Sequence, residues 1–86
     1  MKYSIKFSRE AIDNLDLLNV ADRRLFLRIF RKIESLTDSP YEGKPLVGNH
    51  KGEYSLRIGS YRVVYMIDET DHIIYVFTAK HRKHFY

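Results

Sequence analysis

The segment YSLRIGSYRVVY, residues 54–65, decides the fold because it predicts a β-hairpin. Two runs of strand-forming residues flank Gly59-Ser60, and a glycine in the first turn position supplies the positive φ that a type II′ turn requires. With a two-residue turn, Arg57 lies directly opposite Arg62. Like charges at opposite positions on one sheet face are destabilising, so the pair calls for a physical explanation.

The composition indicates one globular domain that covers residues 1–86. A chain of this length buries one modest core, and 44% hydrophobic and 30% charged residues with four Gly and two Pro are typical of a globular protein. The chain contains no cysteine. Disulfide bonds, thiolate nucleophiles and cysteine-ligated zinc sites are therefore excluded.

The charge and hydropathy patterns favour a cytoplasmic protein that does not associate with a membrane. The first 18 residues lack an uninterrupted apolar segment and a small-residue cleavage site, and no stretch approaches a membrane-spanning length. Fifteen Lys and Arg against eleven Asp and Glu give a net charge of +4. This excess favours a polyanionic partner, although a soluble protein that happens to be basic would have the same composition.

Four strands and two helices are predicted from the spacing of apolar residues. The segment Lys2 to Phe7 alternates with the period of a half-buried strand. Ser8 is a candidate N-cap for a helix from Arg9 to about Asn19, and a second helix begins near Asp22 and reaches Leu36. Three further strands are expected at residues 54–58, 61–68 and 72–79. The order β-α-α-β-β-β predicts an α+β fold in which an antiparallel sheet packs against the N-terminal pair of helices.

The helices and the loop after them carry residues that we expect in the core. In the first helix Ile12, Leu15 and Leu18 recur at intervals of three. The second helix has six apolar residues at helical spacing: Leu25, Phe26, Ile29, Phe30, Ile33 and Leu36. The glycine- and proline-containing loop that follows is expected to be pinned to the core by Leu46 and Val47.

The opposed arginines of the hairpin predict a site for an oxyanion. Guanidinium groups at cross-strand distance cost free energy unless an anion or carboxylate lies between them, and arginine is well shaped to grip a phosphate with two donors. The alternatives are that Arg57 and Arg62 splay apart into water, or that they pair with Glu53 or Asp68.

The C-terminal segment KHRKHFY, residues 80–86, adds cations, histidines and aromatic residues to this site. If the last strand pairs with residues 61–68, its end lies near the hairpin turn, and this segment converges on the arginines. Whether His81 or Arg82 points inward is left open, because the register of the second hairpin is not fixed by the pattern.

Histidine transfers protons near neutral pH, whereas arginine stabilises charge, so the segment predicts chemistry on a phosphodiester. The catalytic candidates are Arg57, Arg62, His81, Arg82, His84 and Tyr86. Further contacts to RNA are expected from Arg28, Arg31, Lys32, Lys44, Lys51, Lys80 and Lys83. The outer face of the second helix is equally explained as a solvated surface that needs charges. The spacing of His81 and His84 in a segment without carboxylates does not favour a metal site, and no metal or other cofactor is predicted.

Two segments together resemble the RelE/ParE superfamily of type II toxins. They are PLVGNHKGEYSLRIGSYRVVYMID, residues 45–68, and AKHRKHFY, residues 79–86. The resemblance implies a compact α+β fold and neutralisation by a cognate antitoxin. For the RelE branch it implies a ribosome-dependent endoribonuclease that cleaves mRNA in the 30S A site, where the 2′-hydroxyl attacks the adjacent phosphate, and so inhibits translation.

The resemblance also implies residue roles. Arg62 matches the arginine that stabilises the phosphate, Arg82 matches a second one, and Tyr86 matches a C-terminal aromatic residue associated with proton transfer and stacking. The pattern departs from that of relatives at three places. Ser55 and Arg57 stand where some relatives have two lysines. Phe85 separates the His and Tyr that are adjacent in YoeB-type relatives. The loop has no secure equivalent of the glutamate that acts as the general base in those relatives.

The mechanism expected from these residues gives His84 or His81 the proton transfer, with assistance from Tyr86. Arg57, Arg62 and Arg82 stabilise the phosphorane. Lys44 and Lys51 serve as phosphate contacts. Two other functions are compatible with the same resemblance: a ParE-like inhibitor of DNA gyrase without nuclease activity, and an inactive relative that binds an antitoxin.

Overall fold

Two helices pack on one face of a five-stranded sheet in the computed structural model, which describes residues 2–85. The elements are β1 (Ser4–Phe7), α1 (Arg9–Ala21), α2 (Arg23–Glu34), β2 (Lys44–Pro45), β3 (Glu53–Ile58), β4 (Tyr61–Asp68) and β5 (Ile73–His81). Short 3₁₀ turns follow at Ser35–Thr37, Gly48–His50 and Arg82–Phe85. The predicted α+β fold is confirmed, and the predicted elements occur in the expected order with one unpredicted strand, β2, between α2 and β3.

The sheet order is β1-β5-β4-β3-β2, and the sheet is mixed. The three pairs from β2 to β5 are antiparallel, as expected, but β1 runs parallel to β5, with Ser4 opposite Ile73 and Phe7 opposite Val76. A parallel pair needs a long crossover connection, which α1, α2 and the hairpins after them provide. The two-residue strand β2 is too short to leave a pattern in the sequence.

Both helices begin at a side-chain cap. The Ser8 hydroxyl oxygen accepts a hydrogen bond from the Ala11 N–H at 3.0 Å, which confirms the predicted N-cap, and the Asp22 carboxylate accepts one from the Leu25 N–H at 3.1 Å. The buried face of α1 is formed by Ala11, Leu15 and Leu18. Ile12 is 42% exposed, so its expected place in the core is wrong. The buried face of the helix is formed by residues 11, 15 and 18, and the side chain at position 12 projects beside this face toward solvent.

The β3–β4 hairpin has the predicted register. Ile58 lies opposite Tyr61, and Arg57 lies opposite Arg62. Gly59 has a φ of +58°, whereas Ser60 has no positive φ, as a type II′ turn requires. Leu56, Ile58, Val63 and Tyr65 are buried against the helices, together with Ile29, Ile33, Leu36, Ile74 and Val76. The alternating residues of the hairpin therefore point away from the core.

The loop after α2 is fastened by the buried side chain of Tyr65. Its hydroxyl donates a hydrogen bond to the Pro40 carbonyl oxygen at 2.8 Å and accepts one from the Gly43 N–H at 2.9 Å. The expected anchoring by Val47 is wrong, since this residue is 85% exposed. Leu46 is half-buried, and its N–H donates to the Glu53 carbonyl oxygen at 2.9 Å. The loop is therefore held at its two ends.

Strand β5 contains a β-bulge that changes which residues face the helices. Val64 pairs with Thr78 whereas Tyr65 pairs with Val76, so Phe77 is an extra residue on β5. The Ser8 hydroxyl donates to the Phe77 carbonyl oxygen at 2.6 Å. Within residues 2–85 no helix is long and apolar enough to cross a bilayer.

Candidate active site

The sheet face opposite the helices carries a row of three cations on adjacent strands. Arg57 on β3 lies opposite Arg62 on β4, which in turn lies opposite Lys80 on β5. Directly opposed residues have Cβ atoms about 4.5–5.5 Å apart. The backbone therefore concentrates three positive charges within the width of three strands.

An open pocket of about 530 Å³ lies beside this row. Its lining consists of Leu46, His50, Glu53, Arg62, Val64, Phe77, Thr78 and Lys80. Leu46 and His50 come from the loop before β3, so this loop forms one wall. The Thr78 hydroxyl is buried in the pocket wall and makes no hydrogen bond within residues 2–85. We call this cavity with Arg57 the open-face site.

Lys80 is held at the β5 edge of the site. Its Nζ lies 3.1 Å from Oε2 of Glu10, in the first turn of α1. The Ala79 N–H on the same edge donates to the Asn14 side-chain oxygen at 3.1 Å. The beginning of α1 therefore fixes the end of β5 where the parallel partner β1 no longer covers it.

Two of the lysines predicted to contact RNA lie beside the open-face site. Lys44 on β2 is opposite Ser55, whose side chain shares the face of Arg57, and both positions are one row away from the cations. Lys51 is exposed and directly follows the pocket residue His50. The structure thus places Lys44 on the same side of the sheet as Arg62, and it places the backbone of Lys51 next to a residue of the pocket.

The two C-terminal histidines lie on the other side of the sheet. His81 pairs with Tyr61, and their rings pack edge to face with centroids 5.6 Å apart. His81 and His84 line a separate pocket of about 330 Å³ with Leu17 of α1. The predicted convergence of these histidines on Arg57 and Arg62 is not present, because the β5 bulge turns His81 toward the helices.

The segment that carries Arg82 and Lys83 is anchored near the hairpin turn, as expected. The Arg82 N–H donates to the Ser60 carbonyl oxygen at 2.7 Å, and the Lys83 N–H donates to His81 Nδ1 at 3.2 Å. Both cationic side chains are exposed. The predicted role of Tyr86 falls on a residue outside the described range.

A second basic surface covers the outer face of α2 and is separate from the open-face site. Arg28, Arg31 and Lys32 line it, and Lys32 Nζ also pairs with Glu42 Oε1 at 2.7 Å. Arg28 reaches toward Gly59 at the hairpin turn. These residues lie on the helix side, so a partner that contacts them and the open-face site must extend around the hairpin turn.

Sequence reasoning missed His50 as a site residue and considered Glu53 only as an alternative partner of the two arginines. His50 Nδ1 lies 3.4 Å from Glu53 Oε1, and both residues line the pocket of Arg62 and Lys80. The signal was present as a histidine three residues before a glutamate at the start of the predicted strand. Within residues 2–85, no three His, Asp or Glu side chains come together as a metal-binding group.

Comparisons with known proteins agree with this architecture. Residues 5–86 match the family model described as the ParE toxin of the type II toxin–antitoxin system parDE. No curated protein matches the chain.

Solved structures of toxins share the fold. The toxin–antitoxin complex RelBE2 from Mycobacterium tuberculosis contains a chain with a TM-score of 0.83 and 27% identity, covering 95% of this chain and 100% of that chain. A YoeB/ParE toxin from Agrobacterium tumefaciens has a TM-score of 0.82 at 20% identity, covering 91% and 96%. The RelBE complex of E. coli matches with a TM-score of 0.77 at 17% identity, covering 92% and 95%. This chain belongs to the ParE toxin family of the RelE/ParE superfamily and is a RelE-like toxin of a type II toxin–antitoxin system.

Proposed function

We propose that this toxin is a ribosome-dependent endoribonuclease that cleaves mRNA in the A site. The observation that supports the proposal best is the row formed by Arg57, Arg62 and Lys80 beside an open pocket. The three cations offer a phosphodiester charge-assisted hydrogen bonds, which are stronger than hydrogen bonds between neutral groups. Arginine at the centre of the row offers the bidentate geometry that suits a phosphate.

The reaction fits the chemistry of these residues. The 2′-hydroxyl of a nucleotide loses its proton and its oxygen bonds to the adjacent phosphorus. The bond from phosphorus to the 5′-oxygen then breaks, and the 5′-oxygen takes a proton. Arg57, Arg62 and Lys80 stabilise the additional negative charge that develops on the phosphorane. Arg82 and Tyr86 remain predicted participants in this step, whereas His81 and His84 line the pocket on the helix side and are not placed to act at the open-face site.

The test is inducible expression of the toxin followed by mapping of mRNA 5′ ends. We expect clustered breaks inside translated codons, and we expect Arg62→Ala to remove them. Arg9→Ala is the matched control, since Arg9 is an exposed cation on α1 that pairs with Asp13 of the same helix. Breaks that persist in Arg62→Ala, or that never appear with the parent toxin, contradict the proposal.

We also propose that a cognate antitoxin covers the open-face site or the C-terminal 3₁₀ turn. The RelBE2 and E. coli RelBE structures are toxin–antitoxin complexes, and the basic surface suits an acidic partner segment. The affinity of the complex should fall as salt is added, because surface charges are screened. An affinity that is unchanged between low and high ionic strength would contradict this mode of binding.

The family model favours a second candidate, a ParE-like inhibitor of DNA gyrase without nuclease activity. The two functions separate in one experiment in which purified toxin is added to ribosomes programmed with mRNA and, separately, to gyrase. Loss of supercoiling without codon-specific cleavage identifies the gyrase inhibitor. Cleavage without an effect on supercoiling identifies the nuclease.

A further inference from the structure

His50 and Glu53 form an imidazole–carboxylate pair at the rim of the open-face site. His50 ends the 3₁₀ turn Gly48–His50, and Glu53 is the first residue of β3. His50 Nδ1 lies 3.4 Å from Glu53 Oε1. The turn between them depends on Gly52, whose φ of +98° is accessible to glycine and strained for other residues. The backbone therefore places the two side chains on the same side of the loop.

The contact with Glu53 determines which imidazole nitrogen is available for chemistry. A carboxylate beside Nδ1 favours the tautomer that carries its proton on Nδ1, and this tautomer leaves the lone pair on Nε2. The His50 side chain is 67% exposed and that of Glu53 is 30% exposed. A substrate can therefore reach the ring while the carboxylate stays largely covered.

The surroundings of the pair differ from those of the other three histidines. His72 packs against Tyr3 with ring centroids 5.1 Å apart, at the end of the sheet where β5 begins. His81 accepts a hydrogen bond from the Lys83 N–H and, like His84, lines the pocket on the helix side. His50 shares its pocket with Arg62 and Lys80.

We propose that His50 is the general base of the cleavage reaction and that Glu53 is the residue that positions it. This inference rests on the proposed nuclease function. His50 Nε2 takes the proton of the 2′-hydroxyl as the bond between the 2′-oxygen and phosphorus forms. The bond from phosphorus to the 5′-oxygen breaks, the departing oxygen is protonated by water, and the imidazolium then returns its proton to water. Glu53 stabilises the imidazolium, and Arg62 and Lys80 stabilise the phosphorane.

The contact between His50 and Glu53 has no evident role in stabilising the fold. An exposed ion pair contributes little to folding stability. Glu53 fastens the loop through its backbone, since its carbonyl oxygen accepts from the Leu46 N–H at 2.9 Å, and this hydrogen bond does not need either side chain. Replacing His50 should therefore leave the fold intact.

The test is single-turnover cleavage of mRNA on programmed ribosomes, at saturating toxin and across pH 5–9. We expect His50→Ala to lower the rate by about 10²- to 10⁴-fold, the usual range for loss of a general base. The parent rate should fall as pH drops through the range in which imidazoles take up a proton, and His50→Ala should lose this dependence. The charged groups that line the pocket with His50 are Glu53 on β3, Arg62 on β4 and Lys80 on β5. Lys51 follows His50 in its own loop and is exposed.

Two further variants separate a chemical role from a structural one. Added imidazole should restore part of the cleavage by His50→Ala. Glu53→Gln should lower the cleavage rate at saturating toxin while leaving the affinity for ribosomes unchanged, because the amide orients the imidazole less firmly than the carboxylate does. His72→Asn is the matched control, since it also removes an imidazole and Asn tolerates the φ of +54° at this position.

The outcomes distinguish this inference from the function on which it rests. If the parent toxin does not cleave mRNA, the nuclease function and the role of His50 are both overturned. If the parent cleaves and His50→Ala cleaves at the same rate with the same pH profile, only the role of His50 is overturned. A slow His50→Ala variant that imidazole does not rescue, and that keeps the parent pH dependence, also overturns the role as base.

Discussion

Replacing Tyr65 with Phe should destabilise the protein by removing one hydroxyl group. This hydroxyl makes two hydrogen bonds, one to the Pro40 carbonyl oxygen at 2.8 Å and one from the Gly43 N–H at 2.9 Å. Tyr65 is 0% exposed, and both backbone partners are buried. The aromatic ring remains in the variant, so its stacking on Tyr54 is kept and no large cavity forms.

The size of the effect follows from the two groups left without partners. A buried polar group that loses its hydrogen bond costs about 1–3 kcal/mol, so two such groups give about 2–4 kcal/mol if the loop relaxes in part. For a domain of this size each kcal/mol lowers Tm by about 4–8 °C. We therefore expect a drop in Tm of at least about 8 °C, which urea unfolding should report as a lower midpoint at unchanged slope.

Gly43→Ala provides a second arm of the same experiment. A Cβ at this position would lie 2.6 Å from the Tyr65 hydroxyl oxygen, which is closer than the atoms can approach without movement. In the Tyr65→Phe background the nearest atoms are ring carbons at 3.0 and 3.1 Å, so Gly43→Ala should cost less there than in the parent. Tyr54→Phe is the control, since it removes a hydroxyl from the ring that stacks on Tyr65 and leaves the hydrogen bonds of Tyr65 in place. Additive losses, or a Tyr65→Phe variant as stable as the parent, would refute the reasoning.

Three other outcomes are expected. Arg62→Ala should reduce single-turnover cleavage by about 10²-fold, which is typical of losing one donor that stabilises transition-state charge, and quantified cleavage products would measure this. Arg28→Ala should make ribosome binding less dependent on salt, lowering the slope of log K against log salt concentration by about one unit. The cleavage rate at saturating toxin should change little. Burial raises the pKa of Tyr65. The folded state thus holds this proton more tightly than the unfolded state does. The free energy of unfolding should therefore fall as pH rises above 10, and it should fall less in Tyr65→Phe.

The parts of the fold that depend on local patterns could be predicted from the sequence. The two-residue turn at Gly59-Ser60 fixes the register that places Arg57 opposite Arg62, because alternation along both strands leaves one pairing that buries Leu56 and Val63 together. The capping residue Ser8 likewise marks the beginning of α1 without knowledge of the rest of the chain.

The parts of the fold that depend on long-range packing could not be predicted from the sequence. The parallel pairing of β1 with β5 joins residues far apart in the chain, and no local pattern distinguishes it from an antiparallel pair. Val47 was expected in the core because it is apolar, yet the loop is fastened by the Tyr65 hydroxyl and needs no apolar anchor there. The place of His50 in the site depends on the loop folding back beside β3, which its residues alone do not show.

The bulge at Phe77 explains why the C-terminal half of the candidate site was the harder half to predict. Before the bulge, the buried residues of β5 are Ile74 and Val76, so unbroken alternation would continue the buried face through positions 78 and 80. The extra residue shifts this face to Ala79 and turns Lys80 outward, to a position opposite Arg62. A strand of the same length without the bulge would either bury the ammonium group of Lys80 or expose Ile74 and Val76. The third cation of the row and the apolar core therefore depend on the same irregularity, and the open-face site cannot be assigned from strand periodicity alone.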